Sequence, residues 1–201
     1  MPGHLSRDRS CARHPWCHRL GRSRALKAGG RPLGVLNIGI VALSQGDVDE
    51  FLALGKEIPP AKRARWTKRS EHVRVARLPV VSRGVQRGEM LLVFRADHAR
   101  HWTFKLLRLG SEVLRWDAQP PPHSHMNPPS RPPGWPRRFR DRDHEHIWHP
   151  LFGMTLARPS AQLDDAPDHA SAFVAFCERA NIDPGDSYQP PPSGEQLRIP
   201  S

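Results

Sequence analysis

Hydrophobic positions follow two different periods along this chain, and the change of period outlines the elements. Residues 44–58 carry Val48, Phe51, Leu52 and Gly55 on one stripe of a 3.6-residue period, which predicts a short helix. Ser44 with Asp47 makes an approximate capping box at its start, and Pro59-Pro60 forbids it from running further. From residue 73 the period drops to two. Residues 73–81 are rich in β-branched side chains, with Pro79 marking an end or an edge, and residues 89–96 carry the run MLLVF. Residues 101–109 set Trp102, Phe104, Leu106 and Arg108 against Thr103, Lys105, Leu107 and Leu109. Residues 112–117 set Val113, Arg115 and Asp117 against Leu114 and Trp116. Short links containing Gly make an antiparallel meander the economical connection. The proline-rich stretch 119–136 cannot be a central strand, but residues 144–148 resume a strand pattern and can return to the sheet. The helical period comes back over residues 168–180, with Phe173, Phe176, Cys177 and Ala180 facing inward. The expected fold is therefore α+β: an antiparallel meander of four to five strands, with an N-terminal and a C-terminal helix packed on it.

Both ends lack such periods. Residues 1–40 are rich in Arg, Gly, Pro and Ser, and read as a disordered basic arm or as an over-extended start, with Val35 or Val41 as the true beginning. Cys11, His14, Cys17 and His18 fall here, at a spacing that matches no common zinc finger. Residues 184–201 read as a disordered tail. The 22 prolines and 15 glycines agree with extensive loop or tail, which leaves residues 41–183 as a single domain.

The net charge of +11 suggests a nucleic-acid partner, but its distribution weakens that suggestion. Residues 1–40 hold eight Arg/Lys and one acid, so the other 161 residues hold 23 Arg/Lys against 19 acids and contribute only +4. Within them the run KRARWTKR, residues 62–69, is the densest cationic stretch, and it encloses Trp66. It reads either as a nucleic-acid contact or as a solvated linker with Trp66 tucked onto the core. Three cysteines make no disulfide framework, which suits a reducing, cytoplasmic setting. The longest apolar stretch, residues 33–43, is too short to span a bilayer, so no membrane partner is expected.

Chemistry concentrates between Asp117 and His149. Five of the twelve histidines lie there (His123, His125, His144, His146 and His149), among the carboxylates Asp117, Asp141, Asp143 and Glu145. Two pairs have His-x-His spacing, which puts both rings on one face of an extended backbone. Strand alternation puts Arg115 and Asp117 on a common face, as an ion pair or as two working groups. Three uses compete for these side chains. Imidazoles with a carboxylate suit a divalent transition metal that activates water. Two histidines can act as general acid and base without metal, with Arg115 or Arg142 meeting a phosphate. Or the histidines are structural. The candidate catalytic residues are Asp117, His123, His144 and His146, and the candidate phosphate-binding residues are Arg115 and Arg142. No cofactor is expected, a divalent transition metal being the alternative.

The succession LSQGDVDEFLALGKEI, FKLLRLG, EVLRWDAQPPPHSHMN, DRDHEHIWHPL and FVAFCERANI resembles a family of small uncharacterised bacterial and phage-borne proteins. In that family a Leu-Arg-x-Asp strand leads to a Pro-His loop, a His-x-His-Ile strand and a helix ending near Cys-x-x-x-Asn-Ile. The resemblance covers residues 42–183, rests mainly on Arg115, Asp117, His123, His144 and His146, and implies a domain start near Val41. The Arg-x-Asp strand with a downstream Pro-His-rich segment is also similar to TumE-type toxins, though here the strand reads Arg-Trp-Asp and the proline-rich loop is longer. That similarity implies a toxin-like protein acting on RNA, with an antitoxin partner. The alternative is a non-catalytic accessory or binding protein of a mobile element.

Overall fold

The computed structural model describes residues 43–98 and 100–192. The expected basic arm, residues 1–40, and the last part of the expected tail, residues 193–201, lie outside the described residues. Helix α1, Gln45–Ala53, starts at a complete capping box: Asp47 N donates to Ser44 Oγ at 3.2 Å, and Ser44 N donates back to Asp47 Oδ2 at 2.9 Å. It buries Val48 and Phe51 and stops short of the prolines. Lys56 ends it, because its buried ammonium reaches back to the otherwise unpaired carbonyls of Phe51 at 2.7 Å and Leu54 at 2.5 Å. Lys56 itself opens β1, Lys56–Glu57.

The sheet grows from a meander of β3, Val73–Ser82; β4, Val85–Arg95; β5, Trp102–Arg108; and β6, Ser111–Ala118, each antiparallel to the next. Arg83-Gly84 and Leu109-Gly110 make the first and last of the tight links, all four with positive φ. That is the geometry in which a two-residue turn matches strand twist. Strand β9, His144–Ile147, then pairs antiparallel with β6, and β10, Ala157–Pro159, lies outside it. At the other edge β2, Thr67–Lys68, pairs with β3, as does β1, which pairs in parallel with β11, Ile182–Asp183. The order is β10-β9-β6-β5-β4-β3-β1-β11, with β2 also on β3. This sheet is mixed and has nine strands rather than the expected four to five. The additional ones are two or three residues long, too short to show a period.

One face of the sheet holds the core. Ala76, Leu78, Val80, Met90, Leu92, Phe104, Leu106 and Trp116 are buried there. Helix α3, His169–Arg179, which follows the short α2, Ala161–Asp164, lays Phe173 and Phe176 against Phe104 and Phe176 against Trp116. Gly88, the single glycine inside a strand among the described residues, leaves room for its neighbours: a Cβ there would lie 2.4 Å from the Leu107 carbonyl and 2.8 Å from the Phe51 ring of α1. The opposite face carries Val75, Arg77, Leu91, Val93, Thr103, Lys105, Arg115 and Asp117, none of which belongs to the hydrophobic core among the described residues.

Residues 184–192, expected to begin the disordered tail, are held along the core side. Trp66 Nε1 donates to Gln189 O at 3.0 Å, and Ala64 N donates to Ser187 O at 2.9 Å. Tyr188 packs on Phe173 and His169. His169, which the sequence left without a role, sits among Trp66, Phe94, Trp102, Phe104 and Tyr188. Burial lowers its pKa to about 4, against a small opposing pull from Asp168. Between that value and the ordinary one near 6.5, the unfolded chain takes up a proton that the fold refuses. The contribution of His169 to stability should thus be flat above pH 6.5 and fall by up to about 3 kcal/mol as the pH drops to 4. His169→Phe should remove that share of the slope in denaturation curves at pH 7 and pH 5; parallel curves for variant and parent would overturn the assignment.

Candidate functional site

The site forms where the open face meets β9. Sheet register sets His144 directly opposite Asp117, and His146 directly opposite Arg115. Period two then sends all four side chains to one face and sends Glu145 to the other, where it meets the core. Above them lies a separate two-stranded ribbon, β7, Ser124–Met126, paired with β8, Arg138–Arg140. Buried Asn127 fastens this ribbon to the sheet. Its Nδ2 donates to the carbonyls of Pro136 at 2.6 Å and Ala157 at 2.7 Å, while its Oδ1 accepts from Ala157 N at 2.8 Å. The ribbon thereby brings His125 to ring-centroid distances of 5.5 Å from His144 and 5.1 Å from His146. Phe139 backs His125 at 5.4 Å in a stacked arrangement.

Among the described residues, His125, His144 and His146 form the one group of three or more metal-type side chains with a donor atom from each within 4.8 Å of the others. The hydrogen bonds explain what those atoms present. His144 Nδ1 donates to Arg142 O at 3.2 Å, His146 Nδ1 to Met154 O at 2.8 Å, and His125 Nε2 to Thr155 O at 3.3 Å. Each carbonyl fixes one ring nitrogen as the N–H, so the other nitrogen is a lone pair in the neutral ring. Burial keeps His144 neutral, lowering its pKa to about 4 in spite of Asp117, and burial together with His146 lowers that of His125.

Asp117 faces this group. Its Oδ1 accepts from Thr103 Oγ1 at 2.6 Å, and its Oδ2 lies 2.8 Å from Arg115 Nε. Burial would raise its pKa, but His146, Arg115 and Thr103 outweigh burial and hold the carboxyl well below the usual range. Its Oδ2 is 3.3 Å from His146 Nε2 and 3.8 Å from His144 Nε2. At His146 the facing acceptors are bridged by Arg115, whose Nη2 donates to Nε2 at 2.7 Å. At His144 a neutral ring leaves a lone pair facing a carboxylate with no donor between them. Two such acceptors repel unless a cation lies between them. The 3.3 Å between His146 Nε2 and Asp117 Oδ2 equals the spacing of neighbouring ligands in a tetrahedral zinc shell with bonds of about 2.0–2.1 Å, while the 3.8 Å at His144 is wider.

The remaining candidates lie at the margin. The His123 ring is 6.1 Å from that of His144; its Nε2 donates to Arg142 O at 3.1 Å and its Nδ1 is buried without a partner. Arg142 turns its guanidinium away to Asp164, and what it gives the site is its backbone carbonyl. Asp143 is taken up by Arg100, and Asp141 by the backbone of His123. His149 accepts from Leu151 N in its own turn. His125 and Thr103 are the residues sequence reasoning left out of its final set. Thr103 was visible only as one of an alternating row, and choosing His125 over His123 needed the position of the ribbon.

A cavity of about 420 Å³ lies away from these histidines, around Gln86, Leu107 and Gly110. His144 and His146 are 4% and 2% exposed, so the group admits an ion rather than a bulky molecule. Arg115 and Lys105 form the more open edge of the site, their side chains 25% and 23% exposed. Among the described residues, no helix is long and apolar enough to cross a membrane. No family model matches this chain, and neither a curated protein nor a solved structure does.

Proposed function

We propose that this chain holds a divalent transition metal at His125, His144 and His146, with Asp117 adjoining, and hydrolyses RNA phosphodiesters there. The observation that carries the reading is the convergence of three imidazoles, each with one ring nitrogen clamped by a backbone carbonyl, beside a buried carboxylate. Such clamping orients metal-bound histidines and strengthens them as ligands. It also favours the metal over two histidines exchanging protons: an imidazole that titrates near 4 is rarely protonated at neutral pH and makes a poor general acid.

A bound metal supplies a polarised water and a Lewis acid for a phosphoryl oxygen. Asp117 Oδ2, 3.3 Å from His146 Nε2 and 3.8 Å from His144 Nε2, would accept a hydrogen bond from such a water and orient it, its low pKa making it a weak base. Arg115 now bonds His146 Nε2, and it would have to yield that lone pair to the ion. It has Glu112, 3.5 Å from Nη1, as another partner, and it stands at the open rim where a phosphate would arrive. The toxin-like form of this function, in which the cleaved RNA is the cell's own, follows the sequence resemblance. The Arg115 bond to His146 supports the second reading, an accessory protein with structural histidines.

Purified full-length protein, stripped with chelator, should cleave a single-stranded oligoribonucleotide only after Zn²⁺, Mn²⁺ or Co²⁺ is restored. Expression should slow growth, and the H144A variant should do neither. Metal-independent cleavage would restore the acid–base reading. Failure to bind any of the three ions, with unchanged growth, would leave the structural one.

A further inference from the structure

The open face of the sheet continues past the histidines. Register carries one row from His146 through Arg115, Lys105 and Leu91 to Arg77, and a second from His144 through Asp117, Thr103, Val93 and Val75 to Thr67. At roughly 4.8 Å per strand, the second row spans about 24 Å. Its far end lies in the stretch that the sequence singled out. Arg65, Thr67, Lys68, Arg69, Val75 and Arg77 line a cavity of about 310 Å³, and Lys62, Arg63, Arg65 and Arg77 line another of about 330 Å³. Neither cavity has an acidic lining residue. Arg77 pairs with Glu89 and Arg63 reaches the Asp186 carbonyl, while Lys62, Arg65, Lys68 and Arg69 are exposed and, among the described residues, have no carboxylate partner. Trp66, the aromatic inside the run, is turned inward to Phe94 and His169. The stretch is thus anchored by its two apolar side chains, Ala64 and Trp66, while its cations face outward.

We infer that this open face is a track for single-stranded RNA, with the backbone phosphates on Arg65, Lys68, Arg69 and Arg77 and the strand running over Lys105 to Arg115 and the histidine site. Charge complementarity fixes the occupant as a polyanion, and the rows that join the cationic edge to the candidate site make it an extended one. The inference rests on the proposed hydrolytic function for its direction. Between the cationic edge and the histidines the side chains along the track are Val, Leu, Thr, Lys and Arg, with the carboxylates Glu89, Glu112 and Asp117 paired to Arg77, Lys105 and Arg115, and no aromatic ring of these strands lies there for a base to stack on. Binding is therefore led by phosphates, indifferent to sequence and steep in salt.

The test is the salt dependence of binding a 20-nucleotide single-stranded oligoribonucleotide, measured without metal on the full chain. Comparing the parent with the triple variant R65A/K68A/R69A cancels the contribution of residues 1–40, which both carry. Losing three phosphate contacts should lower the slope of log K against log salt by about 2 and weaken binding at least about tenfold at low salt. The charge-keeping variant R65K/R69K should bind like the parent, and the triple variant should melt like the parent. An unchanged slope in a folded triple variant overturns the track. So does a parent that binds polyglutamate of equal length as tightly as RNA, since the patch is then a surface for any acidic chain. Because metal is absent, loss of the hydrolytic reading leaves this result standing.

Discussion

Alanine at His144 or His146 should weaken binding of Zn²⁺ or Co²⁺ by about 100-fold or more, as befits loss of a ligand rather than of a supporting contact, which costs about 10–100-fold. The reason lies in the preparation of each ring. His146 is 2% exposed and held through Nδ1 by Met154 O, and His144 is held by Arg142 O, so neither nitrogen has to be reoriented when an ion arrives. Each variant also leaves a carbonyl unpaired and a void in β9, which should cost about 1–3 kcal/mol without any metal. Stability alone therefore does not separate a ligand from a structural histidine. The separation comes from linkage: a ligand present at 100 times its Kd should stabilise the parent by about 2.7 kcal/mol and should not stabilise the variants. His125→Ala gives the cleanest arm, since His125 is only partly buried and stacks on Phe139 at the ribbon surface. It should lose the metal-dependent rise in melting temperature while starting from nearly the parent value. Titration calorimetry and melts with and without Co²⁺ measure both quantities. Variants that gain as much from the metal as the parent does would falsify the assignment.

Glu145→Gln should do the reverse, destabilising the fold by about 3–5 kcal/mol while the folded fraction binds metal as the parent does. Glu145 stands between the two histidines in β9 yet points to the core side, where it is 4% exposed. Its Oε1 accepts from Arg158 Nε at 2.7 Å, and its Oε2 from Arg179 Nε and Trp116 Nε1, both at 3.3 Å. One carboxylate thus joins β6, β9, β10 and α3. The amide keeps the shape but loses the charge that meets two guanidiniums, and its NH₂ has no acceptor where three donors already converge. Urea denaturation gives the loss directly, and a cost below about 1 kcal/mol would show that the arginines find other partners. Together the two sets of variants read out the strand's alternation: neighbours one residue apart, one set governing the ion and the other the fold.

That alternation was legible because period two is a property of the residues themselves. Arg115 and Asp117 share a face, as do His144 and His146, and the structure brings the four together. The core positions Phe173, Phe176, Cys177 and Ala180 are likewise buried. What the sequence hid was set by distant pairing. Strand β1 is two residues and exists because Ile182 lies beside Lys56. Strand β4 begins at Val85, five residues before its apolar run at Met90, because a turn at Arg83-Gly84 extends the pairing through Gln86 to Glu89. Arg142 looked like a free cation until Asp164 came to it from another element, and His125 gained its place through Asn127.

The pairing of β1 with β11 also bears on how the chain folds. Lys56 meets Ile182 across 126 residues, whereas β3 to β6 meet through links of a few residues. Loop closure makes distant contacts the costliest to form first, so the meander is the natural nucleus and the edge strands follow it. On a ribosome the meander can form well before residue 182 emerges. Strand β9 stands between these extremes, since it pairs with β6 only after the proline-rich excursion has been made. The histidine cluster is therefore assembled on a sheet that already exists, and the Asp117 face is in place before any of its imidazoles arrives.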